Sequence, residues 1–322
     1  MKLALIVLAL IVIFAGVTLW KARAHEAHAE ASHPPEGRIL TVDGHRVHAV
    51  VMGPDRADAP DLVLIHGLSG NTRDFTHSLA PALATRYRVI VFDRPGLGHS
   101  ERIDRTGATI VQQADLLSRA ARQLGAQRPI VLGHSYGGAV ALAWAVHQPE
   151  NLSGLVLVSA PSQPWQRDLS WYYRLTSHPI LGPIVIPLIT AYVRDSRVSA
   201  MLDAIFAPQA PDPDYAAHVG AGLTLRRETL RTNALQRANL LAEITALQPH
   251  YHRIDLPVES VHGTADTTVG LDIHAVPLEQ QIDGARLTRL DGIGHMPHHV
   301  ARSEVIAAID RAAARAGAGQ QE

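Results

Sequence analysis

Short runs of apolar residues recur along the chain, separated by longer segments in which the apolar residues have helical spacing. The runs are rich in Val, Ile and Leu, which is typical of strands buried on both faces of a parallel sheet. The predicted strands are Arg38–Val42, His45–Met52, Asp61–Ile65, Arg88–Phe92, Pro129–Leu132, Leu152–Ser159, Pro257–His262 and Ala285–Leu290. The predicted helices among them are Thr72–Ala84, Ala108–Leu124 and Ala139–Ala145. This alternation predicts an α/β fold.

The alternation stops between Pro161 and about Pro249, where the chain has helical patches, several prolines and no clear strand. Aromatic residues cluster at the start of this segment, and an apolar stretch follows over Ile180–Ile189. We expect Trp165 and Trp171 to form part of an apolar roof that binds a hydrophobic substrate group. Most other apolar residues here are interpreted as the core of an inserted helical unit, and a membrane-facing patch is a third interpretation.

The N-terminus is apolar from Leu3 to Trp20, apart from one Gly and one Thr. A helix of that length spans about 27 Å, close to the roughly 30 Å hydrocarbon core of a bilayer. Residues 1–23 are therefore predicted to be a single-pass membrane anchor, with the rest of the chain outside the cytoplasm. Small-residue triplets at 22–24 and 27–29 leave a cleaved signal, with a periplasmic or secreted product, as the alternative.

Residues 24–37 are predicted to be a linker, with the folded domain at 38–315. Three histidines and a pair of prolines lie in this linker. The histidine spacing is loose and no strand or helix is predicted to hold it, so a solvated tether is favoured over a metal site.

Composition excludes some classes of protein without choosing a function. The chain has 322 residues, of which 47% are hydrophobic and 18% are charged, and its formal net charge is −1. A near-neutral charge gives no indication of nucleic-acid binding. Because the chain has no cysteine, disulfides, thiolate catalysis and cysteine metal sites are excluded.

The candidate nucleophile is Ser135, in the motif Gly133-His134-Ser135-Tyr136-Gly137-Gly138. An apolar strand precedes the motif, and a helix of small apolar residues follows it. The pattern G-x-S-x-G in that context is typical of a nucleophile elbow, whose glycines permit a strained turn that exposes the serine hydroxyl. The N-terminus of the following helix directs free N–H groups at the reacting atoms.

Asp266 and His295 are predicted to complete a catalytic triad. Each lies in a loop after a predicted strand, and the chain order Ser, Asp, His fits this elbow. His295 would take the proton from Ser135 and return it to the leaving group, while Asp266 would fix the imidazole tautomer. Asp291 is the alternative acid, because it lies shortly before His295.

Two backbone N–H groups are predicted to stabilise negative charge on a substrate oxygen. One belongs to Tyr136, directly after the nucleophile, and the other to Leu68 in the loop His66–Gly70. His66 could be mistaken for a catalytic base, but its place directly before a glycine favours a structural role.

From about Arg38 to about Arg315 the chain resembles the α/β-hydrolases that have an inserted helical cap. The motifs that carry this resemblance are His66-Gly67, Asp93-Arg94-Pro95-Gly96-Leu97-Gly98-His99-Ser100, the elbow at 133–138, Gly263-Thr264-Ala265-Asp266 and Gly294-His295. The resemblance implies a mostly parallel sheet of eight strands with helices on both faces and a cap at about 161–249. It also implies that Asp93, Arg94 and Ser100 brace the site rather than react.

Two departures from the family pattern are visible. Residues 267–270 read Thr-Thr-Val-Gly, where many relatives have a Val-Pro pair. The elbow has serine rather than the aspartate of epoxide hydrolases and haloalkane dehalogenases.

The expected function is hydrolysis of a carboxylic ester with a hydrophobic acyl or alkyl group, through an acyl-enzyme on Ser135 and without cofactor or metal. The same triad also serves cofactor-free haloperoxidase or perhydrolase chemistry, C–C bond hydrolysis, and amide or lactone cleavage, and the fold does not separate these. A non-catalytic, membrane-anchored accessory protein is the alternative from a different class.

Overall fold

The computed structural model describes residues 1–54, 59–166 and 168–318. Its strands are β1 Arg38–Val42, β2 His45–Met52, β3 Asp61–Ile65, β4 Arg88–Phe92, β5 Ile130–His134, β6 Gly154–Val158, β7 Val258–Gly263 and β8 Arg286–Leu290. Its helices are α1 Lys2–Ser32, α2 Arg73–Thr76, α3 Leu79–Leu83, α4 Ile110–Gln123, α5 Tyr136–His147, α6 Trp171–Ser177, α7 Gly182–Tyr192, α8 Asp195–Phe206, α9 Tyr215–Val219, α10 Ala221–Thr224, α11 Arg227–Leu247, α12 Leu271–Gln281, α13 Pro297–Val300 and α14 Arg302–Ala318. Short 3-10 helices lie at Pro149–Asn151 and Gln248–Arg253.

In the part of the chain just given, the strands form one eight-stranded sheet in the order β1-β2-β4-β3-β5-β6-β7-β8. β2 is antiparallel to both β1 and β4, and every other neighbouring pair is parallel. The β1–β2 hairpin turns at Asp43-Gly44, where both residues have positive φ. The mostly parallel, eight-stranded α/β sheet predicted from the sequence is confirmed.

Successive side chains of each central strand point to opposite faces of the sheet and enter two separate cores. On one face Val63 and Val131 lie in a cluster with residues of α4 and α5. On the other face Leu64 and Leu132 lie in a cluster with residues of α3 and α14. Every residue of β5 and β6 is buried, which explains why their sequences are apolar without alternation.

The helix expected at 72–84 is divided into α2 and α3. Ser78 separates them with φ −150°, outside the helical region. Pro81 in α3 has no N–H with which to continue a hydrogen-bond ladder from α2. By contrast α4 begins where expected, because the side chains of Thr109 and Gln112 form a reciprocal capping box at its N-terminus.

Helices α6 to α11 all lie between β6 and β7 and form the cap. Helix α11 contacts α6, α7 and α5, so it joins the outer cap helices to the body of the sheet.

Helix α1 is longer than the apolar run that begins it. Residues 1–17 are exposed on all sides. Helix α1 is long enough and apolar enough to cross a membrane. A signal sequence has the same two properties. The sequence predicted a membrane anchor or signal sequence here, and the helix is compatible with both.

The segment predicted to be a solvated linker, residues 24–37, is helical to Ser32 and contacts the cap. Ala29 is buried against α10, and Glu26 forms an ion pair with Arg227 of α11 at 2.8 Å. The expectation of a free tether is corrected, because alanines on one face and a paired carboxylate let the helix continue along the cap surface.

Candidate active site

Ser135 lies in a sharp turn between β5 and α5, with φ 49° and ψ −122°. A positive φ is unfavourable for a residue with a side chain, so this turn holds backbone strain. Its glycine neighbours allow close packing: a Cβ at Gly133 would overlap the backbone of Gly137, and a Cβ at Gly137 would overlap the carbonyl of Ile65. The turn presents the Ser135 hydroxyl at the carboxyl end of β5.

Hydrogen bonds join Ser135, His295 and Asp266, which are far apart in the chain. His295 Nε2 lies 3.0 Å from Ser135 Oγ, and His295 Nδ1 lies 2.7 Å from Asp266 Oδ2. All three residues are buried. A neutral imidazole placed in this way donates from Nδ1 to the carboxylate and accepts the serine proton at Nε2, which is the geometry of an activated nucleophile.

The Asp266 carboxylate is held on both oxygens. Its Oδ1 accepts from the N–H groups of Thr268 at 2.8 Å and Val269 at 2.9 Å. Burial acts to raise the pKa of Asp266, but hydrogen bonds from His262 and His295, together with the electrostatic interaction with His295, lower it well below its usual value. The carboxylate is therefore ionised and fixed beneath the imidazole.

Asp291, the alternative acid, takes a different position. It is exposed, and its Oδ1 accepts from Thr264 Oγ1 at 3.2 Å. The structure thus brings Asp266 to His295 and leaves Asp291 at the surface.

The two predicted oxyanion donors lie on segments that meet beside Ser135. Tyr136 is the first residue of α5, so its N–H has no partner within the helix. Leu68 follows Gly67, where an added Cβ would lie 3.2 Å from Ser135 Cβ. Over residues 1–54, 59–166 and 168–318, the Leu68 N–H donates to no backbone acceptor. Neither N–H group is therefore engaged by a backbone acceptor in the described part of the chain.

A family model for the α/β hydrolase fold matches residues 60–301. The chain belongs to the α/β-hydrolase fold family. It is similar to an uncharacterized protein of Mycobacterium tuberculosis, with 27% identity over 300 residues that cover 86% of this chain and 81% of the relative.

Solved α/β-hydrolase structures have the same architecture. A bacterial membrane phospholipase A aligns with a TM-score of 0.68 and 21% identity, covering 97% of this chain and 99% of that one. An esterase from Thermogutta terrifontis aligns with a TM-score of 0.68 and 18% identity, covering 87% of this chain and 98% of that one. At these identities the likeness shows the fold, and with the family match it makes this chain a hydrolase of the α/β fold.

Arg94 is fully buried and supports the loop that carries Leu68. Its Nε donates to the carbonyl of His66 at 3.0 Å, and its Nη2 donates to the carbonyl of Gly67 at 3.1 Å. Its Nη1 donates to the side-chain oxygens of Gln113 at 2.9 Å and Gln236 at 2.7 Å. Burial lowers the pKa of Arg94 to about 10, so the guanidinium remains charged at neutral pH.

His66 has both ring nitrogens engaged in the same loop. Its Nδ1 donates to the carbonyl of Gly67 at 2.9 Å, and its Nε2 accepts from the N–H of Arg94 at 3.0 Å. Burial, together with the nearby Arg94 charge, lowers the pKa of His66 to about 4. A neutral imidazole with no free nitrogen shapes the loop and cannot act as a base.

Asp93 organises the neighbouring loop at the end of β4. Its carboxylate accepts from the N–H groups of Thr72 at 2.6 Å and His99 at 2.8 Å, and pairs with His48 Nδ1 at 2.6 Å. Ser100 Oγ donates to the Asp93 carbonyl at 2.8 Å. These contacts hold the loop behind the site, as the family resemblance implies.

A buried network beside the triad was not found from the sequence. Asp74 pairs with His298 Nε2 at 3.2 Å and His299 Nε2 at 2.9 Å, and the His298 ring lies 4.1 Å from that of His134. His134 Nε2 in turn contacts the carbonyl of His295 at 3.0 Å. One carboxylate and two imidazoles within 4.8 Å of one another suit a transition metal, and here the same atoms form hydrogen bonds.

The cap contributes Asn233, which the sequence analysis also missed. Its Oδ1 accepts from the N–H of Ser69 at 2.8 Å, and its Nδ2 donates to Ser69 Oγ at 2.9 Å. This couples α11 to the residue next to Leu68. No local pattern identifies Asn233, because it lies in the middle of an ordinary cap helix.

The two tryptophans expected to bind substrate differ in position. Trp165 is half-buried, with its ring edge-on to His274 and beneath the guanidinium of Arg237. Trp171, at the start of α6, is 70% exposed and its ring meets Tyr172. That the two tryptophans form part of an apolar roof over the serine stays a prediction, with Trp171 the more exposed of the two.

Proposed function

We propose that this α/β hydrolase cleaves carboxylic esters through an acyl-enzyme formed on Ser135. The observation that carries the proposal is the hydrogen-bonded series Ser135–His295–Asp266, at 3.0 and 2.7 Å, built on a strained elbow. A protein that only binds a ligand needs neither the strain nor the aligned base.

In the first half-reaction, Ser135 Oγ bonds to the ester carbonyl carbon while its proton passes to His295 Nε2. The negative charge that develops on the carbonyl oxygen faces the N–H groups of Tyr136 and Leu68. Collapse of this intermediate breaks the bond to the alcohol oxygen, which takes the proton from His295. The acyl group stays on Ser135.

In the second half-reaction, a water molecule loses its proton to His295 and attacks the acyl carbon. The bond to Ser135 Oγ breaks, the serine regains its proton and the acid is released. Asp266 holds the imidazole in the tautomer that both steps require, and its lowered pKa keeps it ionised throughout.

Two of the solved structures that share this fold support ester chemistry, because one is a phospholipase and the other an esterase. We therefore propose an ester substrate with a hydrophobic acyl or alkyl group. Other structures with this fold are an enol-lactonase and a meta-cleavage product hydrolase, so the substrate panel has to include those reactions.

We further propose that α1 is retained as a membrane anchor. Cleavage after residue 24 would remove the buried Ala22, and cleavage after residue 29 would also remove the ion pair of Glu26 with Arg227. A mature N-terminus near His25 or Glu30, read by mass spectrometry of the native protein, would contradict the anchor.

The function is tested by labelling the purified full chain with a fluorophosphonate and mapping the adduct. We expect one adduct, on Ser135, and turnover of p-nitrophenyl esters in a panel that also contains an amide, an enol-lactone and a diketone. Labelling without turnover of these esters, but with amide, enol-lactone or diketone turnover, would move the proposal to those reactions. The absence of any adduct would contradict it.

A further inference from the structure

The cap has an apolar surface that its own core does not use. Helices α6 and α7 form a bent pair at 114°, and the exposed residues on it, named here the hairpin surface, are Trp171, Ile180, Leu181 and Ile184. Ile180 is 69% exposed and Ile184 is 60% exposed. Clustered apolar side chains at the surface mark a site of interaction with a membrane or another protein.

We propose that the hairpin surface docks into the phospholipid bilayer beside α1, and that the cap thereby takes acyl esters of membrane lipids as substrates. The docking rests on the hairpin surface and on the proposed retention of α1 as an anchor. The statement about substrate rests on the proposed ester hydrolysis.

The position of the hairpin relative to α1 identifies the bilayer as its partner. The Tyr192 ring, at the end of α7, stacks on Phe14 with centroids 6.2 Å apart, and its hydroxyl lies 3.2 Å from Thr18 Oγ1. Lys21 Nζ lies 4.8 Å from the same ring. Phe14 and Thr18 belong to the last turns of the apolar run, so a bilayer that encloses the run reaches the end of α7.

The composition of the hairpin agrees with this placement. α6 and α7 together are as apolar as a membrane span, yet the bend between them makes the pair a re-entrant shape rather than a crossing helix. At 1.5 Å per residue, the 7 residues of α6 and the 11 of α7 reach only about 10 and 16 Å. Tyr192 and Trp171 are the residue types enriched where a protein meets the headgroups.

Exposed basic residues lie in the elements that carry or adjoin the hairpin surface. Lys21 and Arg23 follow the apolar run in α1, Arg174 lies in α6, and Arg194 and Arg197 follow α7; all are exposed. Asp195 stands among them and reduces the local charge. The excess of positive charge suits anionic lipid headgroups, which attract exposed lysine and arginine near a membrane surface.

Helix α11 connects the hairpin to the catalytic loop. Arg231 Nη1 donates to the carbonyls of Thr176 at 2.6 Å and His178 at 3.0 Å, at the bend between α6 and α7. On the same helix, Asn233 bonds to Ser69 next to Leu68. Helix α11 therefore contacts both the bend of the hairpin, where we propose that a lipid enters, and the loop that carries Leu68.

The absence of cysteine from the chain allows a direct test in the full-length protein. Ile184→Cys is labelled with an environment-sensitive NBD fluorophore and reconstituted in phosphatidylcholine vesicles with a minority of phosphatidylglycerol. The matched control is Ile273→Cys in α12, a residue that is 50% exposed and outside the cap. We expect a blue-shifted emission and quenching by doxyl-labelled lipid at position 184, and neither at position 273.

Two outcomes of the fluorescence measurement would overturn the docking. One is an NBD group at 184 that is as accessible to aqueous iodide as the one at 273. The other is shielding at 184 that increases with the ratio of protein to lipid, because that indicates a second copy of the chain on the hairpin surface.

The substrate statement is tested with Ile184→Asp and the control Ile273→Asp. We expect Ile184→Asp to lower the ratio of phospholipid turnover in vesicles to turnover of a short soluble ester by about tenfold, and the control to leave this ratio unchanged. An unchanged ratio for Ile184→Asp would overturn membrane-lipid use. If the protein shows no ester turnover at all, the proposed function is contradicted. The fluorescence result still decides whether the hairpin surface docks into the bilayer.

Discussion

The sheet around Ser135 and the hairpin of the cap use apolar residues in opposite ways. Every residue of β5 and β6 is buried, whereas α7, although strongly apolar, buries only Gly182, Ile186 and Thr190 and leaves its other residues half-buried or exposed. The catalytic atoms need a close-packed frame, because small displacements are costly to the reaction. The exposed apolar residues of the hairpin surface are not part of the cap core. We therefore assign them a role in contact with a partner outside the cap.

The largest expected effect is the loss of kcat when the proposed nucleophile is removed from the buried region. Ser135→Ala should remain folded and lose about 10⁶-fold in kcat, the loss typical of a serine triad without its nucleophile. Ester turnover and thermal unfolding of the purified variant give the measurement. Ser118→Ala, a buried serine in α4 with no hydrogen-bond partner among the described residues, is the control and should retain activity. Substantial turnover by cleanly purified Ser135→Ala would contradict the mechanism.

The second-largest effect distinguishes Asp266 from Asp291 as the acid of the triad by the loss of kcat in each variant. Asp266→Asn should lower kcat by about 10⁴-fold with little change in KM, because the amide favours the wrong histidine tautomer. Asp291→Asn, at an exposed residue bonded to Thr264, should change kcat by no more than a few-fold. Steady-state kinetics of both variants decide the matter, and the reverse order would assign the acid to Asp291.

Two arginine substitutions compare a buried position with an exposed one in their effect on stability and kcat. Arg94→Lys keeps the charge but cannot reproduce four hydrogen bonds to buried oxygens, so we expect a loss of about 3 kcal/mol in stability and at least tenfold in kcat. Arg86→Lys alters an exposed pair with Asp310 and should cost less than about 1 kcal/mol. Denaturant unfolding and kcat measure both. A silent Arg94→Lys would show that the oxyanion loop needs no support.

The smallest effect concerns Glu243, on the inner end of α11. Burial raises the pKa of Glu243 to about 7, above the roughly 4.3 of an unfolded chain. Between these values the folded state binds more protons, so stability falls as pH rises to about 7 and stays low above it. Glu243→Gln should therefore gain about 1–3 kcal/mol at pH 8 and little at pH 4. Unfolding at both pH values tests this, with exposed Glu150→Gln as the control; equal effects at both would contradict the raised pKa.

The body could be predicted from the sequence because its signals are local. The elbow, the glycine-rich loops and the apolar strands each have a sequence pattern only a few residues long. The eight-stranded sheet is predicted from the order of these patterns. Asp266 could be ranked above Asp291 because it lies in a loop directly after a predicted strand, in the chain order Ser, Asp, His that fits the elbow.

The parts that could not be predicted depend on contacts between distant residues. Asn233 and the Asp74–His298–His299 network have no local pattern, since their partners lie elsewhere in the chain. Trp171 is expected in the roof because aromatic residues cluster at the start of the cap, and only the packing of α6 shows how exposed its side chain is. A free linker is expected because its histidine spacing is loose and no helix or strand is predicted there. The contacts of Ala29 with α10 and of Glu26 with α11 are visible only in the structure.

The most direct test of the central claim is a rapid-mixing experiment with an activated ester, followed by acid quench and peptide mass mapping. The account predicts a burst of alcohol close to one equivalent per chain, and an acyl group on the peptide that contains Ser135. The same experiment on Ser135→Ala should show neither. A covalent acyl group on another residue, or a burst of alcohol with no acyl group on the peptide that contains Ser135, would contradict an acyl-enzyme on Ser135.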